Sequence, residues 1–582
     1  MSVAATTFKP PSITLRRPRI RAHAQRLVLC GYVLSAVALT WRLWADPAGR
    51  AQVGDAQDVT LFAWFMRYEA TAVAHAHLPA LVTAAMNPPQ GVSLMWNTSL
   101  LLPGVLLAPV TLLAGPQVTL TTVLTLGFAG SAAALFWVLR RWGASMAAAA
   151  LGGAVYGFSP ALLNSGLGHY HLQFAVLPPL IIDALLRLLT GRGRAALSGA
   201  WLGVLAAAQL YTGEELLTDT AMAAVVLTVA LVASHPRAVR DRARGWAFGM
   251  GMSILMFLTL CGRALWQQFE GPLREHYVAH TTHYTSYLSA HPFVFVTPPG
   301  DLLLHTAGSA ATAAGYPAHL PEYLAYLGWP LLAVLVVAAV WGWRDPRIRI
   351  CAVTFAALEL LSLGDAYHGL PVLSELIPDR LAILADGAAA GLLAFALDRA
   401  RAAATARATA GPEPGPPWGH LATAAAVLAV LPLIPLPYQT APVASVPGGW
   451  AAAFARLRLA PDARVLVVPI PYSKFTQAMR WQASAGAPGT LIGGFFLGPN
   501  QNGTAKVSPG PATADALDLD PLWAGRRPEA RRSLAQLRAD LESWRPAAVA
   551  LVLRRHSRVR QVLTRLLGPP SFRSGRVLVW RR

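Results

Sequence analysis

GDAQDVTLFAWFMRYEATAVAHA, residues 54–76, sets two carboxylates, Asp55 and Asp58, three residues apart just after the first apolar run of the chain. The text after Asp58 reads as an amphipathic helix. An aspartate at a helix start accepts a backbone N–H and complements the helix dipole, so both acids have a purely structural reading. Their functional reading is a general base beside a second carboxylate that orients a hydroxyl or a metal. Asp58 is the better placed of the two to cap the helix, which leaves Asp55 as the preferred base.

The surroundings are those of a membrane protein. Of 582 residues, 54% are hydrophobic and 13% charged, against about a quarter charged in soluble domains. Apolar runs of roughly 17–25 residues, the length that crosses a bilayer, recur from Leu27 to Leu436. No small-residue cleavage site follows the first run, so it reads as a span and not a cleaved leader. The net charge of +20 is carried largely by arginines in short loops: Arg16–Arg26, Arg140–Arg141, Arg187–Arg194, Arg237–Arg244, Arg344–Arg349 and Arg399–Arg407. Short basic loops stay in the cytoplasm. With the N-terminus inside, about eleven spans place every cluster there, near 27–45, 117–139, 146–163, 170–189, 197–213, 216–233, 246–262, 322–341, 348–364, 381–398 and 420–436. Segment 100–115 is apolar but short, and carries Pro103 and Pro109. Counting it as a span would reverse the following clusters, so it is expected to lie along the outer membrane surface.

The expected organisation is a cytoplasmic segment 1–26, a transmembrane domain 27–436 with outer loops 46–116 and 263–321, and an extracytoplasmic domain 437–582. In that tail, RVLVVPI (464–470), AAVALVL (547–553) and RVLVW (576–580) read as buried strands. RRSLAQLRADLESW (531–544) has helical spacing, giving a small α/β domain. Its Arg554, Arg555, Arg558, Arg560 and Arg565 form either a solvated face or a grip on anionic lipid headgroups or an acidic wall polymer. Ala402–Pro417, rich in Ala, Gly and Pro, reads as a cytoplasmic connector. Cys30, Cys261 and Cys351 all fall in or beside spans, so no disulfide framework is expected. The sequons NTS and QNGT carry no weight in a chain whose composition points to a GC-rich bacterial genome.

Residues 54–116, together with GFSPALLNSGLGHYHLQFAVLPPL (157–180), EYLAYLGWPLL (322–332) and LSLGDAYHGLPVLSELIPDRLAILADGAAAGLLAFALDR (361–399), resemble GT-C membrane glycosyltransferases, of an actinobacterial type. The resemblance covers nearly the whole chain as architecture, with loose motifs. It implies a polytopic α-helical protein of the plasma membrane. It also implies a polyprenyl-phosphate sugar as donor, and one acid at Asp55 or Asp58 as catalytic base. The acceptor expected is a cell-envelope glycan or glycolipid, and the tail is a candidate to hold it.

A lipid-phosphate sugar brings its own leaving group. The enzyme must deprotonate an acceptor hydroxyl and neutralise the departing phosphate. Arg42, Arg67, Arg263, Arg274 and Arg380 depart from the inside rule and are the natural phosphate ligands, Arg380 at the outer mouth of a span and Arg263 and Arg274 beside the second long loop. The structural reading of Arg263 and Arg274 is an interfacial anchor. Of the 15 histidines, all but His23, His235 and His420 fall on the outer side. His169 and His171 end a span in GHYHLQF, and His276, His280 and His283 lie in REHYVAHTTHY. His276 and His280 are spaced to share a helix face, but no complete zinc pattern accompanies them. They read as phosphate or sugar ligands or as ordinary loop residues, and a divalent cation stays open. Glu214 and Glu215, in the tight turn YTGEELLTD, read as acceptor or metal ligands or as a solvated turn. Glu359 falls within a span, paired or facing a cavity. Asp55, Glu214, His169 and Arg380 are expected to converge on one outer-facing cavity.

Two other classes share this composition. One is a transporter or flippase of lipid-linked substrate, which would normally show internal repeats and broken mid-membrane helices. The other is a non-catalytic scaffold that binds envelope polymer. Nucleic acid is excluded as a partner: the basic loops follow topology, and no recognition motif accompanies them.

Overall fold

The computed structural model describes residues 18–275, 289–316, 320–364, 377–410, 418–485, 489–500, 502–529, 532–554 and 557–582. Its larger part is a helical bundle. Among the described residues, six helices are long and apolar enough to cross a membrane: 22–44, 116–141, 146–165, 214–234, 243–269 and 378–406. Ala195–Leu210, Trp329–Gly342 and Gly419–Leu433 are shorter apolar helices, and Leu177–Leu189 and Pro346–Ser362 complete the bundle. Helix Ala243–Phe269 turns Phe248, Ile254, Leu255, Leu258 and Trp266 outward. An apolar face of that kind suits lipid and not water.

The arginine-bearing helix ends meet one another. Arg349 donates to the Ser234 hydroxyl at 3.3 Å, and the Ser145 N–H donates to Asp398 at 2.5 Å. Arg347 lies over Phe395 and Arg399 over Trp341.

Two expected spans start later than their apolar text. Residues 170–189 divide into a short helix, Tyr170–Gln173, and a longer one from Leu177, because Pro178 and Pro179 fit a helix start and not its interior. Residues 320–328 are a 3-10 turn and an extended segment, and the helix begins at Trp329 with Pro330 in its first turn after Gly328 at φ +78°. Segment 100–115 forms two short helices, Leu101–Leu106 and Ala108–Ala114, with Pro109 opening the second. Leu106, Leu112 and Leu113 are exposed on them.

The tail is an α/β domain with a five-stranded sheet. Phe572–Ser574, Val577–Arg581, Ala548–Val552, Arg464–Val468 and Thr490–Leu491 follow one another across it. Arg464–Val468 runs parallel to both neighbours, and the two strands at the far end are antiparallel. Leu466, Val468, Val549, Leu551 and Leu578 on one face pack against Leu537 and Leu541 of helix Leu534–Trp544. That helix opens with a Ser533–Gln536 capping box.

The loop after the first helix is built into this domain. Residues 85–87 add to the sheet edge: the Leu491 N–H donates to Ala85 O at 3.0 Å and the Asn87 N–H to Leu491 O at 2.8 Å. Arg50–Gln52 pairs antiparallel with Thr440–Pro442. Helix Ala56–Ala74 packs against helix Gln477–Ala485 of the tail and against helix Pro116–Arg141 of the bundle. The helix that begins beside Asp55 is thus held from both sides.

Candidate active site

Asp55 and Asp58 reach the same place by a close backbone approach. The Asp55 N–H donates to Leu167 O at 2.9 Å. A Cβ on Gly54 would strike that same carbonyl, and one on Gly168 would come within 2.8 Å of the Asp55 Cβ. Two segments distant in sequence therefore touch where neither carries a side chain. The helix starts at Ala56, so Asp55, and not Asp58, holds the N-cap position. Its carboxylate makes no capping hydrogen bond. It turns instead to His169, whose Nε2 lies 3.8 Å from Asp55 Oδ2 and 4.0 Å from Asp58 Oδ2.

From His169 a line of charged groups runs inward. His169 Nδ1 is 3.4 Å from Glu322 Oε1. Glu322 takes both Nε and Nη2 of Arg380, and Arg380 Nη1 donates to Glu215 Oε2. Glu215 Oε2 in turn meets His171 Nε2 at 3.1 Å. Asp219 and Asp379 feel the same guanidinium, and both are buried. Glu322 and Asp379 were not singled out in the sequence. The first was hidden in the apolar text of an expected span, the second by its neighbour Arg380. The signal available was an acid at the start of EYLAYLGWP and the Asp–Arg pair in IPDR.

The electrostatics follow from burial. Burial, partly offset by the Glu322 carboxylate, pushes the His169 imidazole down to about 4. At neutral pH it is an uncharged ring with a lone pair to offer. Burial alone would raise the Glu322 carboxyl, but the Arg380 guanidinium more than offsets this and holds it below the usual carboxylate range. Asp55, Asp58 and His169 each offer a ligand atom, all within 4.8 Å of one another. Two carboxylate oxygens and a neutral imidazole nitrogen are a donor set suited to a divalent cation. A carboxylate on the far nitrogen of a ligating histidine is the usual support for such a ring.

The other residues named from sequence sort as follows. Glu214 begins helix Glu214–Ser234 beside Glu215, and it is Glu215 that grips Arg380 and His171. Arg380 is bound by carboxylates on both sides, so it organises the acids and is not an open cation awaiting phosphate. Arg263 is exposed on helix Ala243–Phe269, which packs on helix Ala195–Leu210, and Arg274 pairs with Glu270 at 3.1 Å on the surface. Neither is brought to the acids. His276, with His280 and His283, lies outside the described residues. Glu359 is buried near Asp386 and Ser362, one helical turn from the end of its helix.

No family model and no curated protein matches the chain. Among solved structures it is similar to the archaeal oligosaccharyltransferase AglB from Archaeoglobus fulgidus, in complex with an inhibitory peptide and a dolichol-phosphate. That match has 11% identity and a TM-score of 0.47, covering 91% of this chain and 70% of that one. It is similar to ArnT from Cupriavidus metallidurans bound to undecaprenyl phosphate at 12% identity and a TM-score of 0.47, covering 97% and 98% of the two chains. A third is the arabinofuranosyltransferase AftD from Mycobacteria, at 15% identity and a TM-score of 0.46, covering 98% of this chain and 40% of that one. These proteins are GT-C glycosyltransferases.

Proposed function

We propose that this chain is an inverting membrane glycosyltransferase that moves a sugar from a polyprenyl-phosphate donor to a hydroxyl of a cell-envelope glycan or glycolipid. The observation that carries the reading is the meeting of Asp55, Asp58 and His169 at one end of an apolar helical bundle. Asp55 spends its N-cap position on that meeting and not on its helix. The arginine-rich loops lie at the other end, so this end faces the outside of the plasma membrane, with the N-terminus within and the tail domain without.

In this reading Asp55 takes the proton of the acceptor hydroxyl as that oxygen attacks C1 of the sugar. The C1–O bond to phosphate breaks, and its electron pair leaves with the polyprenyl phosphate. Asp58 orients the hydroxyl. Glu322 steadies the His169 ring, and Arg380 keeps Glu322 and Glu215 charged and in place. Where a divalent cation is bound, Asp55, Asp58 and His169 are its ligands, and it supplies positive charge toward the departing phosphate.

The test is transfer of labelled sugar from polyprenyl-phosphate donors by protein purified into lipid. Asp55→Asn is expected to lower kcat on the order of 10²-fold or more while leaving the thermal transition within a few degrees. Full activity in both Asp55→Asn and Asp58→Asn would remove the carboxylates from the chemistry.

A further inference from the structure

The tail carries arginines that the chemistry above does not use. Residues 553–582 hold nine arginines and no aspartate, glutamate or lysine, whereas an ordinary protein surface intersperses both signs. Those described are all exposed, and none forms an ion pair among the described residues.

One group of them is gathered by the backbone. Pro521, Leu522 and Trp523, at the end of helix Pro511–Trp523, each hold one arginine-bearing residue. The Pro521 carbonyl accepts the Arg526 N–H at 2.7 Å, and the Leu522 carbonyl accepts the Arg558 N–H at 3.2 Å. The Trp523 ring carries the Arg554 guanidinium 4.9 Å from its centroid. That ring is fixed in turn, its Nε1–H donating to Val552 O at 2.7 Å. Stacking holds a guanidinium in place without using its N–H donors. Arg527 follows Arg526 in the same exposed turn. Glu529, the acid that ends this turn, is taken by Lys474 at 3.0 Å. Four cationic side chains thus branch from one small patch of backbone.

The sheet gives the patch a position. Arg554 and Arg558 follow strand Ala548–Val552. From its parallel neighbour Arg464–Val468 the chain goes on to Thr490–Leu491 on one side and returns to Ala548–Val552 on the other. In open α/β sheets, ligands bind outside the carboxyl ends of strands where the order turns in this way. The sheet also gives it a direction. Helices Leu534–Trp544 and Val559–Leu567 cover one face through Leu537, Leu541, Val559 and Leu563. The other face, with Val465, Val467, Ala548 and Ala550, continues through Met479 and Trp481 into the core shared with the bundle. Helix Val559–Leu567 therefore lies on the layer turned away from the bundle and from the membrane it spans. Arg565 is two turns on from Arg558 along the same side of that helix, about 10 Å. The cations recur along a line.

A line of exposed guanidinium groups suits a chain of repeated negative charges. We infer that this face binds a linear acidic polysaccharide, its carboxylate or phosphate groups pairing with Arg526, Arg527, Arg554 and Arg558 and continuing toward Arg565. The membrane's own headgroups lie on the opposite side of the sheet. The inference shares with the glycosyltransferase reading the outer placement of the tail and none of its chemistry.

The experiment uses the full chain in phosphatidylcholine nanodiscs. Labelled oligogalacturonate, oligo(glycerol phosphate) and dextran are titrated by fluorescence anisotropy at low and at high salt. At least one acidic oligomer is expected to bind and to weaken with salt, and neutral dextran not to bind. Replacing Arg526, Arg527, Arg554 and Arg558 together by Gln is expected to weaken binding about tenfold or more, and Arg554→Gln with Arg558→Gln about threefold. The double variant decides the matter if the fourfold one does not fold. Arg237→Gln with Arg240→Gln removes as much charge from an exposed turn between bundle helices and should leave affinity unchanged. Binding of oligogalacturonate alone marks a carboxylate polymer, and of oligo(glycerol phosphate) alone a phosphate polymer. Failure of both acidic oligomers to bind the wild type overturns the inference, as does an equal loss in the two double variants. Arginine-dependent binding to phosphatidylglycerol vesicles without binding of either oligomer also overturns it and makes the partner a membrane surface. No turnover is measured, so polymer binding and sugar transfer fail separately.

Discussion

At the scale of single residues, the site depends on what is missing at Gly54 and Gly168. A methyl group at 168 would press on the Asp55 Cβ at 2.8 Å. The Asp55 backbone, pinned to Leu167 O, would have to give way. Gly168→Ala is therefore expected to reduce sugar transfer at least tenfold, since a displacement near 1 Å is costly for positioned groups, with a much smaller change in unfolding temperature. Equal transfer by Gly168→Ala and wild type would show that the approach is not what places the carboxylate. Asp301 offers a prediction of the opposite kind, about stability. Both its carboxylate oxygens lack partners among the described residues, and burial pushes its carboxyl up to about 6. A folded pKa above the unfolded one means that the native state holds the extra proton between about pH 4 and 6. Stability falls as pH rises through that window, and the deficit is complete above pH 6. Asp301→Asn cannot ionise, so thermal unfolding should show it stabilised at pH 8, by at most about 3 kcal/mol, and nearly unchanged at pH 4. A benefit of equal size at both pH values would remove ionisation as the cause.

At the scale of elements, the decisive segment is 320–328. In sequence it is indistinguishable from the span that follows, because Tyr323, Leu324, Ala325, Tyr326 and Leu327 are as apolar as any helix and are indeed buried. Hydrophobicity reports burial, and this stretch is buried in protein without being helical. Its non-helical path brings Glu322 to Arg380, which composition alone does not reveal. The acids at Asp55 and Asp58, by contrast, were legible because they interrupt an apolar text, and His169 because it closes a span. Arg380 was legible as an exception to the inside rule, but its partners depend on the tertiary path. That path makes a prediction about the ion pairs. Among the described residues, Glu215, Glu322, Asp219 and Asp379 surround the Arg380 guanidinium. Removing one acid leaves others to meet the cation, whereas removing the cation leaves carboxylates facing one another. Breaking a buried pair from one side commonly costs 3–5 kcal/mol, roughly. Arg380→Met should thus lower the unfolding temperature more than Glu322→Gln does, and the double variant should recover part of the loss. A milder effect for Arg380→Met than for Glu322→Gln would mean that these acids are already neutral and need no cation.

At the scale of the whole molecule, the tail is docked against the helix that carries Asp58 and is not an appendage. Residues 85–87 complete its sheet edge, Trp64 Nε1 donates to Gln482 Oε1 at 2.8 Å, and Arg480 donates to Gln117 Oε1 at 2.9 Å at the start of a bundle helix. Asn97 closes the seam: it takes the Leu497 N–H at 2.6 Å and returns its amide N–H to Leu497 O at 2.8 Å. An asparagine side chain that answers both backbone groups of one residue acts as a strand neighbour, and Asn97→Ala strands both groups. Each loss is worth about 1 kcal/mol, more if the groups stay dry. That is too little to unfold the tail, whose core lies on other elements, but enough to loosen its hold on helix Ala56–Ala74. In hydrogen–deuterium exchange, Asn97→Ala should speed the amides of Asn87 and Leu491 at the seam while strands Arg464–Val468 and Ala548–Val552 keep their protection. Transfer activity should fall in step with the seam. If all tail amides accelerate together, Asn97 supports the domain's own stability and not its docking. If the seam opens with activity intact, the bundle alone holds Asp55 and Asp58 in place, and the tail serves the substrate rather than the acids.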